Sequence, residues 1–300
     1  METKYPFTPW LSLAPYRRLI TLQDGTIFYY DCKPKGYIKQ TLVLIHGLGD
    51  EADSWRHIIP LLNAKGYRCI ALDLPGFGRS VWNGKISVSR HADAVIQVMN
   101  DCGIAGNEIT DPAVLVGNSM GAGVAEITAI KRPDLVQSLI LVDGCFPIHF
   151  SINLGFMLFG LIGKKWYRNF KKNHEGAWKS LYPFYHNLDV MNDADKTFLR
   201  ERVIARVESS NQEQGYFESI RSMASTFAFG KPSLKYKIKK FNGKILIIWG
   251  EHDHTIPVDK SAPFRRLRRD AVFKTITGTG HLPHQENPAE VVGVILEFLG

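Results

Sequence analysis

The sequence predicts an α/β fold: a mostly parallel, eight-stranded sheet with helices on both faces and a helical insertion late in the chain. Three observations predict it. Short, continuous runs of Val, Ile and Leu recur along the chain, as in strands buried on both faces. Segments with helical apolar spacing alternate with them, several closed by glycine. The alternation breaks once, between about Cys145 and Lys240, and then resumes.

The elements follow in order. "RLITLQDGTIFYYDC" reads as a hairpin with Asp24-Gly25 at its turn. "TLVLIHG" is an apolar strand ending in His46-Gly47. "SWRHIIPLLNAKG" is a helix closed by Gly66, "YRCIALDLPG" a strand, and "SRHADAVIQVMNDCG" a second helix closed by glycine. "AVLVGNS" is a buried strand, followed by the helix "GAGVAEITAI". "SLILVDG", "KILIIWGEHD" and "AVFKTITGTGH" are three more strands, and "NPAEVVGVILEFLG" is a terminal amphipathic helix. Strands alternating with helices place a parallel sheet between two helical layers. The interrupted stretch is rich in aromatics, Lys, Arg and Asn, and contains the helix pattern "ADKTFLRERVIARVESS". We therefore expect a core of residues 1–145 and 235–300, with a helical cap from 146 to 234.

Composition bounds the function. With 45% hydrophobic and 22% charged residues over 300 positions, the chain can bury a large core. Its net charge of +8 would suit an anionic partner, but no nucleic-acid motif is present, so none is expected. "KKWYRNFKK" (164–172) and "FRRLRRD" (264–270) read as solvated helix faces. The four cysteines show no C-x-x-C or metal-ligand spacing and read as reduced thiols of a cytoplasmic protein. The start, "METKYPFTPWLSL", lacks the pattern of a secretory signal. "FSINLGFMLFGLIG" (150–163) is too short and polar to span a bilayer. We read it as a packed lid segment in preference to a membrane-surface helix. Oligomeric state is not legible.

The chemistry begins at "VGNSMGAG" (116–123). A chain passing from strand to helix in so few residues forces its apex toward positive φ, where neighbours crowd. Gly117 and Gly121 remove the side chains that would clash, and Ser119 is left at the apex beside a helix N-terminus. This is the G-x-S-x-G pattern of an exposed nucleophile; the plain alternative is a helix cap in a glycine-rich turn. A serine nucleophile needs a base and an orienting carboxylate. His281 lies in "GTGHLPHQENP", a glycine-flanked loop past the last strand, with His284 as its rival. Asp253 ends the strand "KILIIWGEHD"; Asp143, which also ends a strand, is the second candidate. The order Ser119, Asp253, His281 is the chain order of one serine-hydrolase class. The backbone N–H groups of Met120 and of Leu48, after Gly47, would hold an oxyanion. His57, His91, His149, His174 and His186 read as surface or lid residues, and His46 as a loop-shaping residue. His46, His252, His254 and His281 lack the spacing of a zinc site on a helix, so no metal or cofactor is expected.

"HGLGD", "DLPGFGRS", "GNSMG", "GEHDHTIP" and "GHLPHQENP" together make the chain resemble the α/β-hydrolase superfamily over nearly its whole length. The resemblance implies Ser119, Asp253 and His281 as a triad, an oxyanion hole at Leu48 and Met120, and the cap over the site. It is nearest to carboxylesterase and monoglyceride-lipase-like members, which cleave small-molecule esters. The elbow is also similar to that of meta-cleavage-product C–C hydrolases, which usually carry tryptophan directly after the catalytic histidine; here Leu282-Pro283 follows. The alternatives are C–C hydrolysis and a ligand-binding receptor on the same fold. Phe146, Phe150, Phe156, Trp178 and Phe184 are candidates to line an apolar acyl pocket, or else belong to the core of the cap.

Overall fold

Apolar strand runs assemble as the alternation requires. The computed structural model describes residues 8–104, 111–146, 163–228 and 232–300. The strands are β1 (Arg17–Leu22), β2 (Gly25–Cys32), β3 (Gln40–Ile45), β4 (Tyr67–Leu72), β5 (Val81–Trp82), β6 (Ala113–Asn118), β7 (Val136–Val142), β8 (Lys244–Gly250) and β9 (Val272–Ile276). Eight of them follow the order β1-β2-β4-β3-β6-β7-β8-β9, and β5 is a ninth, pairing off this path with β2. The two-residue β5 is an addition to the eight expected strands; so short a pairing carries no periodic signal. From β4 to β9 every neighbour pair is parallel, whereas β2 runs antiparallel to β1, β4 and β5.

The helices are α1 (Ile58–Asn63), α2 (Val88–Asp101), α3 (Met120–Lys131), α4 (163–169), α5 (His174–Lys179), α6 (Asp193–Glu208), α7 (Ser210–Met223), α8 (Pro232–Lys239), α9 (Ala262–Leu267), α10 (Pro283–Glu286) and α11 (Pro288–Leu299). Alternate strand residues feed two separate cores. Val43, Ile45, Leu115, Leu139 and Ile247 pack with α2 and α3 on one face. Leu42, Leu44, Val114, Ile140 and Leu246 pack with α1 and α11 on the other. The period-two alternation of strand side chains is what lets one run supply both layers.

The sheet sets the place of the site. From β3 the chain moves outward to β4 on one side, then returns to place β6 on the other side of β3. Strand order therefore reverses between β3 and β6, and crevices open at the carboxyl ends of strands at such a reversal. His46-Gly47 and Ser119 leave these two strands at that end.

Helices α4 to α8 lie between β7 and β8 in the chain. Tyr167, Trp178, Leu199, Val203 and Phe217 form a third, separate apolar cluster there. Buried ion pairs join this segment to the loops after β3. Arg56 meets Asp195 at 2.7 Å, and Arg202 meets Glu51 at 3.1 Å. Arg206 pairs with both Asp50 and Glu51. Charges this buried are tolerable only when matched, so the pairs fix one seating of the segment on the core.

Candidate active site

Ser119 sits between β6 and α3 at φ +52 and ψ −116, a region L-residues avoid. The glycines around it explain how the chain holds this shape. A Cβ on Gly117 would strike the backbone of Gly121, and one on Gly121 would strike the carbonyl of Ile45. A Cβ on Gly144 would come within 2.6 Å of the Ser119 carbonyl oxygen. The Ser119 N–H donates to the Val142 carbonyl at 2.8 Å, tying the turn to β7. Ser119 is partly exposed, and its side chain makes no cap bond to α3. The N-cap alternative therefore loses its bond, and the hydroxyl stands at the positive end of a helix of twelve residues.

His281 and Asp253 come together as the sequence predicts. His281 Nδ1 and Asp253 Oδ2 are 2.7 Å apart, and both residues are buried. The other Asp253 oxygen accepts the N–H groups of Thr255 (2.8 Å) and Ile256 (2.9 Å). An oxygen that accepts from the ring holds the imidazole with Nδ1 protonated. Nε2 is thereby left free to accept a proton.

The rival histidine is placed elsewhere. His284 Nε2 bonds the Ser54 hydroxyl at 2.9 Å, its ring stacks on Trp55 at 4.3 Å, and burial pushes its pKa down to about 3. His46 shapes its loop: Nδ1 donates to the Gly47 carbonyl at 2.7 Å and Nε2 accepts the Leu74 N–H at 2.9 Å. The expectation that His91 is a surface or lid residue is wrong. It is fully buried, 2.8 Å from the Ser219 hydroxyl, with its pKa pushed down to about 3 by desolvation. It locks α2 to α7 as a neutral ring. His57 is half-buried on Asp195, His174 and His186 are exposed, and His149 lies outside the described residues.

The first α3 amide is Met120 N–H, next to Ser119. Leu48 follows Gly47, where an added Cβ would stand 3.4 Å from Ser119 Cβ, so this loop runs beside Ser119. Among the pocket candidates, Phe184 reaches the site: its ring centroid is 6.0 Å from that of His281, and its carbonyl accepts the His281 N–H at 2.9 Å. Trp178 does not. It belongs to the core of the helical segment, with Arg200 over its ring. Phe146 is buried at the end of the β7 turn, and Phe150 and Phe156 lie outside the described residues. A groove of about 770 Å³ between the start of α2 and the end of α7 shares no residue with the triad candidates.

Two supports, Asn118 and Glu286, were missed in the sequence, and the second candidate acid, Asp143, lies beside the Asp253–His281 pair. Asn118 Nδ2 donates to the carbonyls of His281 (3.2 Å) and Val142 (3.3 Å), bridging the elbow to the histidine loop. Glu286 accepts the Gly280 N–H at 2.6 Å and the His186 N–H at 2.7 Å, clamping that loop to the helical segment. Asp143 stands at the end of β7, with its Oδ1 on the Gly250 N–H at 2.8 Å. For the two missed supports, the sequence offered only the five-residue context of Asn118. Asp143, Asp253 and His281 are the one set of described His, Cys, Asp and Glu groups close enough to share a metal ion. Their facing atoms, however, are already bonded as an acid–imidazole pair.

Behind the elbow, Glu126 of α3 is buried and accepts the Phe146 N–H at 2.8 Å; desolvation raises its carboxyl well above the usual range. A carboxyl raised on folding keeps a proton that the unfolded chain releases. Stability is therefore lost as pH rises from the unfolded value, about 4.3, toward the folded one. Glu126→Gln should be more stable than the parent at about pH 8, by about 1 kcal/mol or more, and no different near pH 4. Urea titrations at the two pH values check this; a gain equal at both would remove the proton from the account.

A family model described as "alpha/beta hydrolase fold" matches residues 40–288. The chain is 29% identical over 294 residues to the uncharacterized hydrolase YugF of Bacillus subtilis (strain 168), covering 96% of this chain and 99% of that protein. It is 26% identical over 295 residues to a 2-hydroxy-6-oxononadienedioate/2-hydroxy-6-oxononatrienedioate hydrolase of Pseudomonas putida, covering 94% and 96%. Among solved structures, a bacterial membrane phospholipase A superposes with a TM-score of 0.74 at 25% identity, covering 94% of this chain and 85% of that one. No helix of the described residues is long and apolar enough to cross a membrane.

Proposed function

Because the chain belongs to the α/β-hydrolase fold family, we propose that it hydrolyses carboxylic esters of small molecules through an acyl-enzyme on Ser119. The observation that carries this reading is the strained Ser119 at the start of α3, set in one sheet edge with the 2.7 Å Asp253–His281 pair. His281 Nε2 takes the hydroxyl proton as Ser119 Oγ attacks the acyl carbon. Asp253 holds the ring and stabilises its charged form. The tetrahedral oxyanion lies on the N–H groups of Met120 and Leu48, whose fixed dipoles need no reorganisation as charge develops. His281 protonates the leaving alcohol, then activates the water that frees Ser119. Helices α4 to α7 belong to the cap, residues 146–234, and Phe184 borders the acyl site.

The polar surroundings favour an uncharged substrate. Arg56, Arg202 and Arg206, which join the helical segment to the core loops, are each matched by a carboxylate. None is left over by these pairings to receive a second carboxylate on the substrate, as the dioate named for the Pseudomonas putida relative would require. C–C hydrolysis is retained as the second reading because that relative covers nearly the whole chain. The test is a p-nitrophenyl ester series from acetate to palmitate beside a vinylogous diketone acid. Ester turnover with a chain-length optimum is expected. Turnover of the diketone alone would replace ester cleavage with C–C cleavage.

A further inference from the structure

Asp143 is unusual on three counts. With Ser119, it is one of two non-glycine residues of positive φ among the described residues, at +46. It is fully buried. Its Oδ1 accepts the Gly250 N–H, but its Oδ2 is buried without a hydrogen-bond partner among the described residues. A left-handed turn at this point costs free energy for any side chain other than glycine, though Asp tolerates it better than most. Its effect is to bring the carboxyl up to the acid–imidazole pair: one donor or acceptor atom each of Asp143, Asp253 and His281 lies within 4.8 Å of the others.

Two buried carboxyl groups this close cannot both be ionised without a cation to match them. They share one proton, which settles on the group with fewer donors. Asp253 accepts from Thr255, Ile256 and His281, whereas Asp143 accepts from Gly250 alone. Burial, and then the charge of Asp253, push the Asp143 carboxyl well above the ordinary range. A further titratable neighbour, Glu286, is occupied by the Gly280, His186 and Asn187 N–H groups.

We propose that Asp143 is a positioning residue that stays protonated and donates its O–H to Asp253. Its proton fills the otherwise unpartnered contact, fixes the acid facing His281, and draws off part of the negative charge the imidazole feels. This rests on the reading of Asp253 and His281 as acid and base.

The test uses the full chain with Asp143→Asn and Asp143→Ala, and two readouts. The first is the acid limb of kcat/KM for a p-nitrophenyl ester. Asparagine can accept from Gly250 and donate to Asp253, so its limb should coincide with that of the parent. Alanine removes the donor, leaves Asp253 with its full charge, and should move the limb up by about half a pH unit to one unit. If Asp143 were ionised instead, both substitutions would remove a negative charge and move the limb down. If it were merely structural, neither would move it. The second readout is the infrared band of a protonated carboxyl group at neutral pH. Part of it should vanish in Asp143→Asn, beyond the part removed by Glu126→Gln. A downward limb, an unmoved limb in folded Asp143→Ala, or an unchanged band would each overturn the proposal. Should Asp143→Ala fail to fold, the asparagine limb and the band decide. Should the parent turn over no ester, the reading of function fails, and the band still decides where the proton lies.

Discussion

Ser119→Ala should lower kcat/KM for esters by about ten-thousand-fold or more, with the fold intact, and His281→Ala should do the same. The reason is that neither residue has a use without the other. A serine hydroxyl at neutral pH is a poor nucleophile until its proton has somewhere to go, and His281 Nε2 has no substrate role without that proton. The double variant should consequently be no slower than either single one, within about three-fold. Single-turnover kinetics on a p-nitrophenyl ester check this, and additive losses would separate the residues into independent roles. Ser119 also stores strain, so Ser119→Gly should be inactive yet more stable than the parent by about 1 to 3 kcal/mol. Thermal melting of the two proteins reads that difference directly.

Asp253→Asn should cost about a thousand- to ten-thousand-fold, through a route that leaves geometry nearly unchanged. Asp253 Oδ2 faces His281 Nδ1 at 2.7 Å and can only accept from it. An amide nitrogen placed there donates, so Nδ1 must become the acceptor and the ring proton moves to Nε2. The base is then blocked on the side that serves Ser119. The other oxygen would still accept from Thr255 and Ile256, so the loop should stay folded. Comparing kcat/KM with the Ser119→Ala value checks the prediction. A loss below about ten-fold would mean that His281 needs no partner to set its tautomer.

Much of this site was legible because its logic is local. Gly117, Ser119 and Gly121 declare a strained turn within five residues, and Asp253 and His281 each directly follow an apolar strand run. Parallel strands bring such ends to one edge, so sequence position alone predicts that they converge. What stayed hidden depends on distant partners. A histidine in helix α2 carries no mark of its neighbours, and His91 proves to be buried against Ser219, 128 residues away. Trp178 and Phe184 look alike in an aromatic-rich stretch, yet one fills the core of the helical segment and the other faces His281. The clamp from Glu286 to the backbone at 186 and 280 is written in amides that every residue possesses. Both candidate acids, Asp143 and Asp253, end strands, and the sequence ranks Asp253 first only by the Gly-Glu-His-Asp turn that carries it. The donor set around each tells them apart.

The proposed function stands on Ser119 being a nucleophile activated by His281. Reaction with a fluorophosphonate probe, followed by peptide mass mapping, tests it without any guess about substrate. One phosphonyl group per folded chain is expected, carried on Ser119, absent from Ser119→Ala and formed far more slowly in His281→Ala. Folded protein that stays unlabelled, or label carried on another residue, would contradict it.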